Sequence, residues 1–113
     1  MPRRTTTSPF TLAFGARLRS LRQELGLSLD QLSKKTDISK GHLSSIECGF
    51  AVITVETLTR IAAGLDICPA MLLAFPDDEH GKTIEIMRQL PTTRLKRLRR
   101  IMRKWIAEND ASS

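Results

Sequence analysis

Two helix-start signals lie only 11 residues apart in the segment 28–47, and they constrain the fold more than any other feature of the chain. Ser28 is followed three residues later by Gln31, a capping-box pattern in which a hydroxyl and an amide each satisfy an orphan backbone donor. Ser39 is a second good N-cap, and Asp37 before it tolerates a left-handed turn conformation. The pattern predicts two short helices, at 29–36 and 40–47, joined by a tight turn.

Helical periodicity continues on both sides of this pair. Apolar residues recur at three- and four-residue spacings, Gly26 and Pro91 mark breaks, Thr54 is an N-cap, and Pro69 suits a first helical position. The further predicted helices lie at 11–25, 55–64, 69–75, 82–89 and 93–108. No strand-like alternation of useful length occurs, so the predicted fold class is all-α. The short pair and three flanking helices form one five-helix domain.

The 113 residues suit a single domain with short appendages. We expect a flexible N-terminal arm at 1–9, a helix-turn-helix domain at 10–76, and an acidic linker with a basic amphipathic helix at 77–113. The net charge of +6 is unevenly divided, with +4 over 1–26, zero over 27–49, −3 over 50–91 and +5 over 92–113. Cations at both ends indicate a polyanionic partner, although net charge does not choose between nucleic acid and a membrane surface.

The chain lacks the sequence features of several other classes. No apolar run approaches the roughly 20 residues of a transmembrane helix, and the N-terminus lacks the apolar segment of a signal peptide, so we expect a cytoplasmic protein without a membrane partner. The two cysteines are too few for a disulfide framework or a zinc knuckle. His42 and His80 have no cysteine or carboxylate at metal-ligand spacing, and no nucleophile motif or phosphate-binding glycine loop is present. We therefore expect no metal, no cofactor and no enzymatic activity.

Residues 12–75 resemble the Cro/phage-repressor-like (XRE) family of DNA-binding domains. The matching residues are Leu18-Arg19-Ser20-Leu21-Arg22, Leu25-Gly26-Leu27-Ser28, Gln31-Leu32, Ile38-Ser39, Leu43-Ser44-Ser45-Ile46-Glu47, Gly49, Thr57-Leu58, Ile61-Ala62, Leu65 and Leu72. The composite spacing is highly specific, although each fragment alone is weak. The resemblance implies a five-helix, lambda-repressor-like helix-turn-helix domain with a C-terminal helical extension, whose helix at 40–47 enters the major groove.

The resemblance also implies which residues contact double-stranded DNA. The positions that face base edges correspond here to Ser39, Lys40, Gly41, Ser44 and Ser45, with His42 in the same helix. A lysine donates to guanine or to phosphate, and serine hydroxyls bond either base type. The amides at the starts of the second and fourth helices, capped by Ser28 and Thr54, suit phosphate oxygens. Arg3 and Arg4 of the arm are placed to enter the minor groove or to lie along phosphates.

Arg22 and Glu47 look like the family's structural ion pair between the first helix and the end of the recognition helix; the alternative is two solvated surface charges. The chain also departs from the family. Leu29 stands where a phosphate-clamping glutamine is usual, and Gly41 stands where a longer base-reading side chain is common. Four consecutive apolar residues, Phe50-Ala51-Val52-Ile53, replace basic and polar ones in the loop after the recognition helix. Either they pack against the fourth helix, or Phe50 and Val52 contact a dimer partner or another protein.

The predicted helix at 93–108 has an apolar stripe opposite a basic face. The stripe consists of Leu95, Leu98, Ile101, Met102, Trp105 and Ile106. A lone helix cannot bury it, so we expect it to dimerise or to dock on its own domain. Direct contact of the basic face with the DNA backbone is a second interpretation, compatible with dimerisation. A membrane-surface or acidic-partner helix is a third.

Together these features predict a sequence-specific DNA-binding transcriptional regulator, with repression as the expected mode, that binds a palindromic or pseudo-palindromic operator as a homodimer. The alternative is a protein-interaction module, antitoxin-like or adaptor, that uses the same domain and apolar loop while its DNA binding is weak or lost. Leu29 and Gly41 keep this alternative open.

Overall fold

The computed structural model of the chain describes residues 7–75 and 77–112. Within these residues the protein is all-α, as predicted, with seven helices and no strand. The helices are α1 (Pro9–Glu24), α2 (Leu29–Thr36), α3 (Lys40–Glu47), α4 (Val55–Leu65), α5 (Pro69–Leu72), α6 (Glu79–Arg88) and α7 (Thr92–Ser112).

Local capping fixes α2 and α3 at the predicted bounds. The Ser28 side chain accepts from the Gln31 amide at 3.1 Å, and the Gln31 side chain accepts from the Ser28 amide at 2.8 Å. Asp37 ends α2 in the left-handed region at φ 57°. Ser39 then caps α3 by accepting from the amide of His42 at 3.1 Å. The starts of α2 and α3 and the turn between them are therefore set by side chains that lie within a few residues of each start.

The five helices α1–α5 enclose one core, to which each contributes a fully buried side chain. These side chains are Leu18, Leu32, Leu43, Ile46, Ile61 and Leu72. Helix α3 packs on α1 so closely that a Cβ added at Gly15 would lie 2.5 Å from the backbone oxygens of Ile46 and Glu47. The inner side of α3 is thus fixed by direct contact of its backbone with α1.

Several predicted helix bounds were wrong. Helix α1 begins at Pro9 rather than at 11, because Ser8 and Thr11 form a reciprocal capping box. The last residues of the predicted arm therefore belong to the start of the domain, while Arg3 and Arg4 lie outside the described residues. Helix α5 ends at Leu72 rather than at 75.

The second half of the predicted acidic linker, residues 79–81, is the first turn of a helix that was predicted to begin at 82. Asp78 caps α6 by accepting from the Gly81 amide at 3.2 Å, and Glu79 is already its first residue. Gly81 is buried against the chain that leaves α5, where an added Cβ would lie 2.0 Å from the carbonyl oxygen of Phe75. This close approach holds α6 against the domain.

A partly buried network of ion pairs also connects α6 to α1. Arg17 donates to the Glu85 carboxylate and, at 2.8 Å, to the carbonyl oxygen of Met71. Arg88 donates at 2.7 Å both to Glu85 and to Glu24 at the end of α1. Hydrogen bonds from Arg88 and then from Arg17 outweigh partial burial and lower the pKa of Glu85 from 4.5 to about 2. The carboxylate is therefore charged at neutral pH, and α6 belongs structurally with the domain.

Helix α7 does not pack extensively on any of the other described helices. It runs from Thr92 to Ser112, longer than the predicted 93–108. Because α7 extends away, the protein is elongated, with extents of 56 × 28 × 21 Å. In its apolar stripe Leu95, Leu98 and Met102 are half-buried, whereas Ile101, Trp105 and Ile106 are exposed. No helix among the described residues has the length and apolar character needed to cross a membrane.

Candidate nucleic-acid interface

The outer side of α3 presents short polar side chains to solvent. Ser39, Lys40, Gly41 and His42 are exposed in its first turn, and Ser44 and Ser45 are half-buried one turn later. The oxygen of Ser39 already accepts the His42 amide, so its hydroxyl proton is the group available to an external acceptor. All six residues predicted to contact DNA at α3 and its N-cap are thus exposed or half-buried.

Lys40 has an intramolecular partner that the sequence analysis did not anticipate. Its ammonium lies 3.4 Å from a carboxylate oxygen of Asp30 on α2, and both side chains are mostly exposed. An exposed pair of this kind contributes at most about 1 kcal/mol, so a phosphate or a guanine edge can replace the carboxylate. The first turn of α3 carries no surplus positive charge until that exchange occurs.

The fold does not require glycine at position 41. A Cβ built there meets no atom within 4 Å, and the residue is an ordinary helical one. At Gly15 and Gly81, by contrast, a Cβ would strike backbone atoms. Gly41 therefore leaves a bare stretch of α3 backbone at the surface, where another molecule can approach closely.

A buried ion pair holds the far end of α3. Arg22 on α1 donates from Nε to Glu47 Oε2 at 2.7 Å and from Nη2 to Glu47 Oε1 at 2.9 Å. The Glu47 side chain is only 2% exposed, and the bond to it raises the pKa of Arg22. Arg22 Nη1 also donates to the carbonyl oxygen of Leu27 at 2.8 Å, which ties the α1–α2 turn into the same arrangement. The bidentate geometry fixes the orientation of α3 relative to α1.

Arg19 adds a second cation to this pair, which the sequence analysis missed. Its Nε lies 3.2 Å from Glu47 Oε1, and its side chain is half-exposed. The signal was present, since Arg19 and Arg22 are three residues apart and so lie on one face of α1. With Arg19 included, the ion cluster at the end of α3 has a net positive charge.

The starts of α2 and α4 have the geometry of phosphate sites but not a strongly favourable charge. Ser28 and Thr54 are exposed caps, and Thr54 accepts from the Thr57 amide at 3.1 Å. Each first turn, however, carries an acid, Asp30 in α2 and Glu56 in α4. A negative side chain satisfies part of the helix dipole and weakens the attraction for phosphate.

The apolar loop is divided between core and surface. Ala51 and Ile53 pack against the core, whereas Phe50 and Val52 are exposed. Val52 also borders a groove of about 320 Å³ lined by apolar residues of α1, the loop, α4 and the segment after α5. Phe10 and Val55 at this groove are 82% and 77% exposed. Packing against the core is thus confirmed for Ala51 and Ile53, while the contact of Phe50 and Val52 with a partner stays a prediction.

The described residues contain no group of three or more His, Cys, Asp and Glu side chains that could hold a metal ion. His42 lies exposed on α3, and His80 lies in the first turn of α6.

The arrangement of α1–α5, with two short helices held on a three-helix support and an exposed polar face on the second, is that of a helix-turn-helix domain. Residues 13–75 match the family model described as a helix-turn-helix domain, and the chain belongs to that family.

Two curated relatives carry the description HTH-type transcriptional regulator. SutR of Escherichia coli (strain K12) is 44% identical over 50 residues, which cover 44% of this chain and 28% of that protein. SinR of Bacillus subtilis (strain 168) is 34% identical over 67 residues, which cover 58% of each chain. The match therefore spans less than two thirds of the length of either relative.

A solved structure agrees with this fold over nearly its whole length. The restriction-modification controller protein C.AhdI from Aeromonas hydrophila superposes with a TM-score of 0.57 at 29% sequence identity, over 57% of this chain and 98% of that one.

Proposed function

We propose that the protein is a sequence-specific DNA-binding transcriptional regulator that inserts α3 into the major groove. The observation that carries the proposal is the fixed presentation of the polar face of α3. Glu47 is clamped by Arg22, and Gly15 brings α1 into backbone contact with α3. A helix held so firmly reads base edges without ordering cost at the moment of binding.

The proposed contacts follow from the chemistry of the exposed groups. Lys40 exchanges Asp30 for a guanine edge or a phosphate, and the hydroxyls of Ser39 and Ser44 donate to base acceptors. Ser45 and His42 flank these groups, and Gly41 lets the α3 backbone come near the DNA. The amides capped by Ser28 and Thr54 contact phosphates, and Arg3 and Arg4 of the arm contribute to the same backbone contacts.

We further propose that the DNA-bound form is a homodimer. A two-fold dimer places two recognition helices on half-sites about one helical turn apart, which accounts for the use of so short a reading helix. The exposed apolar groove bordered by Val52 and Val55, and the uncovered stripe of α7 that includes Trp105, are the surfaces that a second copy could bury. A dimer bound to an operator blocks a promoter by occupancy alone, so we propose repression as the mode of regulation. We also propose that the protein acts in the cytoplasm, where the DNA is.

Selection of duplex DNA from a random pool tests this function. The full chain should enrich one palindromic or pseudo-palindromic sequence, and sedimentation of the complex should give two chains per duplex. Lys40→Ala should weaken binding to the enriched sequence while circular dichroism and mass stay those of the parent chain. Enrichment of no sequence would refute the regulator.

A protein-interaction module is the second candidate, because the apolar groove is large and exposed. In that case the parent chain should enrich no DNA sequence, whereas Val55→Asp should abolish capture of a protein partner. If the Val55→Asp variant still binds DNA sequence-specifically, the DNA-binding proposal stands. In that case a monomeric variant shows that the groove is a dimer contact, and a dimeric variant shows that it is not required for dimerisation.

A further inference from the structure

The cations of the described residues fall into two groups that differ in whether a carboxylate lies beside them, and in the first group Arg19 and Arg22 share the one carboxylate of Glu47. Among the described residues before α7, all but Lys34 and Lys35 lie within 4 Å of a carboxylate oxygen. The paired ones are Arg17, Arg19, Arg22, Lys40, Arg60, Lys82 and Arg88. None of the cations of α7 has such a partner among the described residues. These are Arg94, Lys96, Arg97, Arg99, Arg100, Arg103 and Lys104.

Geometry concentrates the unpaired charge of α7. Its 21 residues span about 31 Å at 1.5 Å per residue. At helical spacing most of its cations lie opposite the apolar stripe, and all are exposed. Its two acids, Glu108 and Asp110, follow the last cation, so the first three turns and more carry positive charge alone.

The ion network of α6 determines where α7 starts. Arg88, the last residue of α6, bonds Glu24, the last residue of α1, at 2.7 Å. Ser28, which caps α2, follows Glu24 by only four residues. Thr92, the first residue of α7, follows Arg88 by the same number. Helix α7 therefore starts four residues beyond the Arg88–Glu24 ion pair, at the same sequence distance from that pair as the N-cap of α2.

We propose that the basic face of α7 binds the phosphate backbone of duplex DNA beside the site that α3 contacts. This rests on the proposed function, since it needs DNA at the α2–α3 surface. Phosphate oxygens are the ligand that a row of exposed, unneutralised guanidinium and ammonium groups fits. The cations of α7 run from Arg94 to Lys104, about 15 Å at 1.5 Å per residue, which spans about four base pairs at about 3.4 Å each. Since α7 carries seven cations without a carboxylate partner and the described residues before it carry two, Lys34 and Lys35, α7 supplies most of the electrostatic affinity of the described residues.

The test measures salt dependence with matched variants of the full chain. One variant removes two cations from α7, Arg99→Gln with Arg103→Gln; the control removes two exposed, paired cations, Arg60→Gln with Lys82→Gln. Both bind a random-sequence duplex in titrations from 0.05 to 0.3 M salt. Each lost phosphate contact lowers the steepness of log affinity against log salt by about 0.9, so the α7 variant should lose up to about 1.8 and the control almost nothing. Adding Arg100→Gln and Lys104→Gln should double the loss.

Equal slopes for the α7 variant and the parent chain would overturn the proposal. So would a result in which α7 cations are needed for binding vesicles of phosphatidylserine and phosphatidylcholine while the DNA slope stays unchanged, because the ligand would then be a lipid surface. Circular dichroism of each variant at the titration salt shows whether α7 keeps its helix, and a variant without helical loss but with a shallower slope supports the contact. Because the titration uses random-sequence DNA, its outcome does not depend on the selection experiment. If the α7 variant has a shallower salt slope but the selection enriches no sequence, only the proposal of sequence-specific regulation is refuted, and the α7 contact stands.

Discussion

The helix-turn-helix domain and α7 differ in whether their cations have carboxylate partners. In the domain nearly every cation has an acid partner, and Arg22 and Glu47 are buried together at the end of α3. In α7 no cation is neutralised by a described acid, and the apolar side chain of Trp105 is 60% exposed. The first arrangement fixes a geometry, whereas the second leaves charge and apolar surface available to another molecule.

The contrast separates two tasks that a DNA-binding protein must perform. A base-reading surface needs a defined orientation, and internal ion pairs with bidentate geometry provide that orientation. Such a pair adds no net positive charge to the surface. Affinity for a polyanion needs cations that are not already satisfied. This chain assigns the first task to α3 and, in our proposal, the second to α7.

Removing Glu47 should produce the largest change in stability. Glu47→Ala leaves the Arg22 guanidinium in a mostly buried site without its carboxylate, so the free energy of unfolding should fall by about 3–5 kcal/mol. Urea denaturation followed by circular dichroism measures it. The matched change on α7, Glu108→Ala, removes an exposed acid and should leave the urea midpoint unchanged. Equal losses for the two variants would remove the distinction between the regions.

Gly15→Ala should come next. The added methyl group would lie 2.5 Å from two backbone oxygens of α3, so α1 and α3 must move apart, at a cost of about 1–3 kcal/mol that exceeds the gain in helix propensity. Thermal unfolding should show a lower midpoint. Because α3 is displaced, the selectivity between preferred and random DNA should fall in the folded protein as well. A variant as stable as the parent would show that the close contact is not what holds α3.

Acid should weaken the attachment of α6 by a smaller amount. The pKa of Glu85 is lowered from 4.5 to about 2 in the folded protein, so its contribution to stability is complete above about pH 4.5. It is lost as the pH falls through about 2. The difference in urea midpoint between the parent chain and Glu85→Gln should therefore be constant above pH 5 and shrink towards pH 2. A difference that persists unchanged at pH 2 would contradict the ion network.

The smallest expected effect has the opposite sign. Gly41→Ala places a methyl group in open space within a helix, so it should stabilise the fold by about 0.5–1 kcal/mol. If the α3 backbone approaches DNA there, affinity for the enriched sequence should fall despite the gain in stability. Denaturation and DNA titration on the same sample test both parts. Unchanged affinity would place position 41 outside the contact.

The parts of the fold that were predictable are those set by neighbours in sequence. The bounds of α2 and α3 follow from Ser28, Gln31 and Ser39, whose hydrogen bonds close within three residues. The start of α1 was missed although it is equally local, because its capping box uses Thr11 where Glu or Gln is usual. Pro9, at the first helical position, was the available signal.

Long-range features could not be predicted in the same way. Arg17 and Glu85 are 68 residues apart, and nothing around either position shows that they meet. The same holds for Lys40 and Asp30, whose pairing depends on how α2 and α3 cross. The Arg22–Glu47 pair was anticipated only through the family resemblance, which carries information about three-dimensional contacts that spacing alone lacks.

The most direct test of the division between α3 and α7 is the affinity ratio between the enriched duplex and a scrambled one. Titrations at one salt concentration would compare the parent chain, Lys40→Ala and the variant with Arg99→Gln and Arg103→Gln. Lys40→Ala should lower the ratio, by about five- to 150-fold for the loss of one good base contact worth about 1–3 kcal/mol. The α7 variant should lower both affinities together and leave the ratio unchanged. A ratio that falls with the α7 cations and survives without Lys40 would contradict the account.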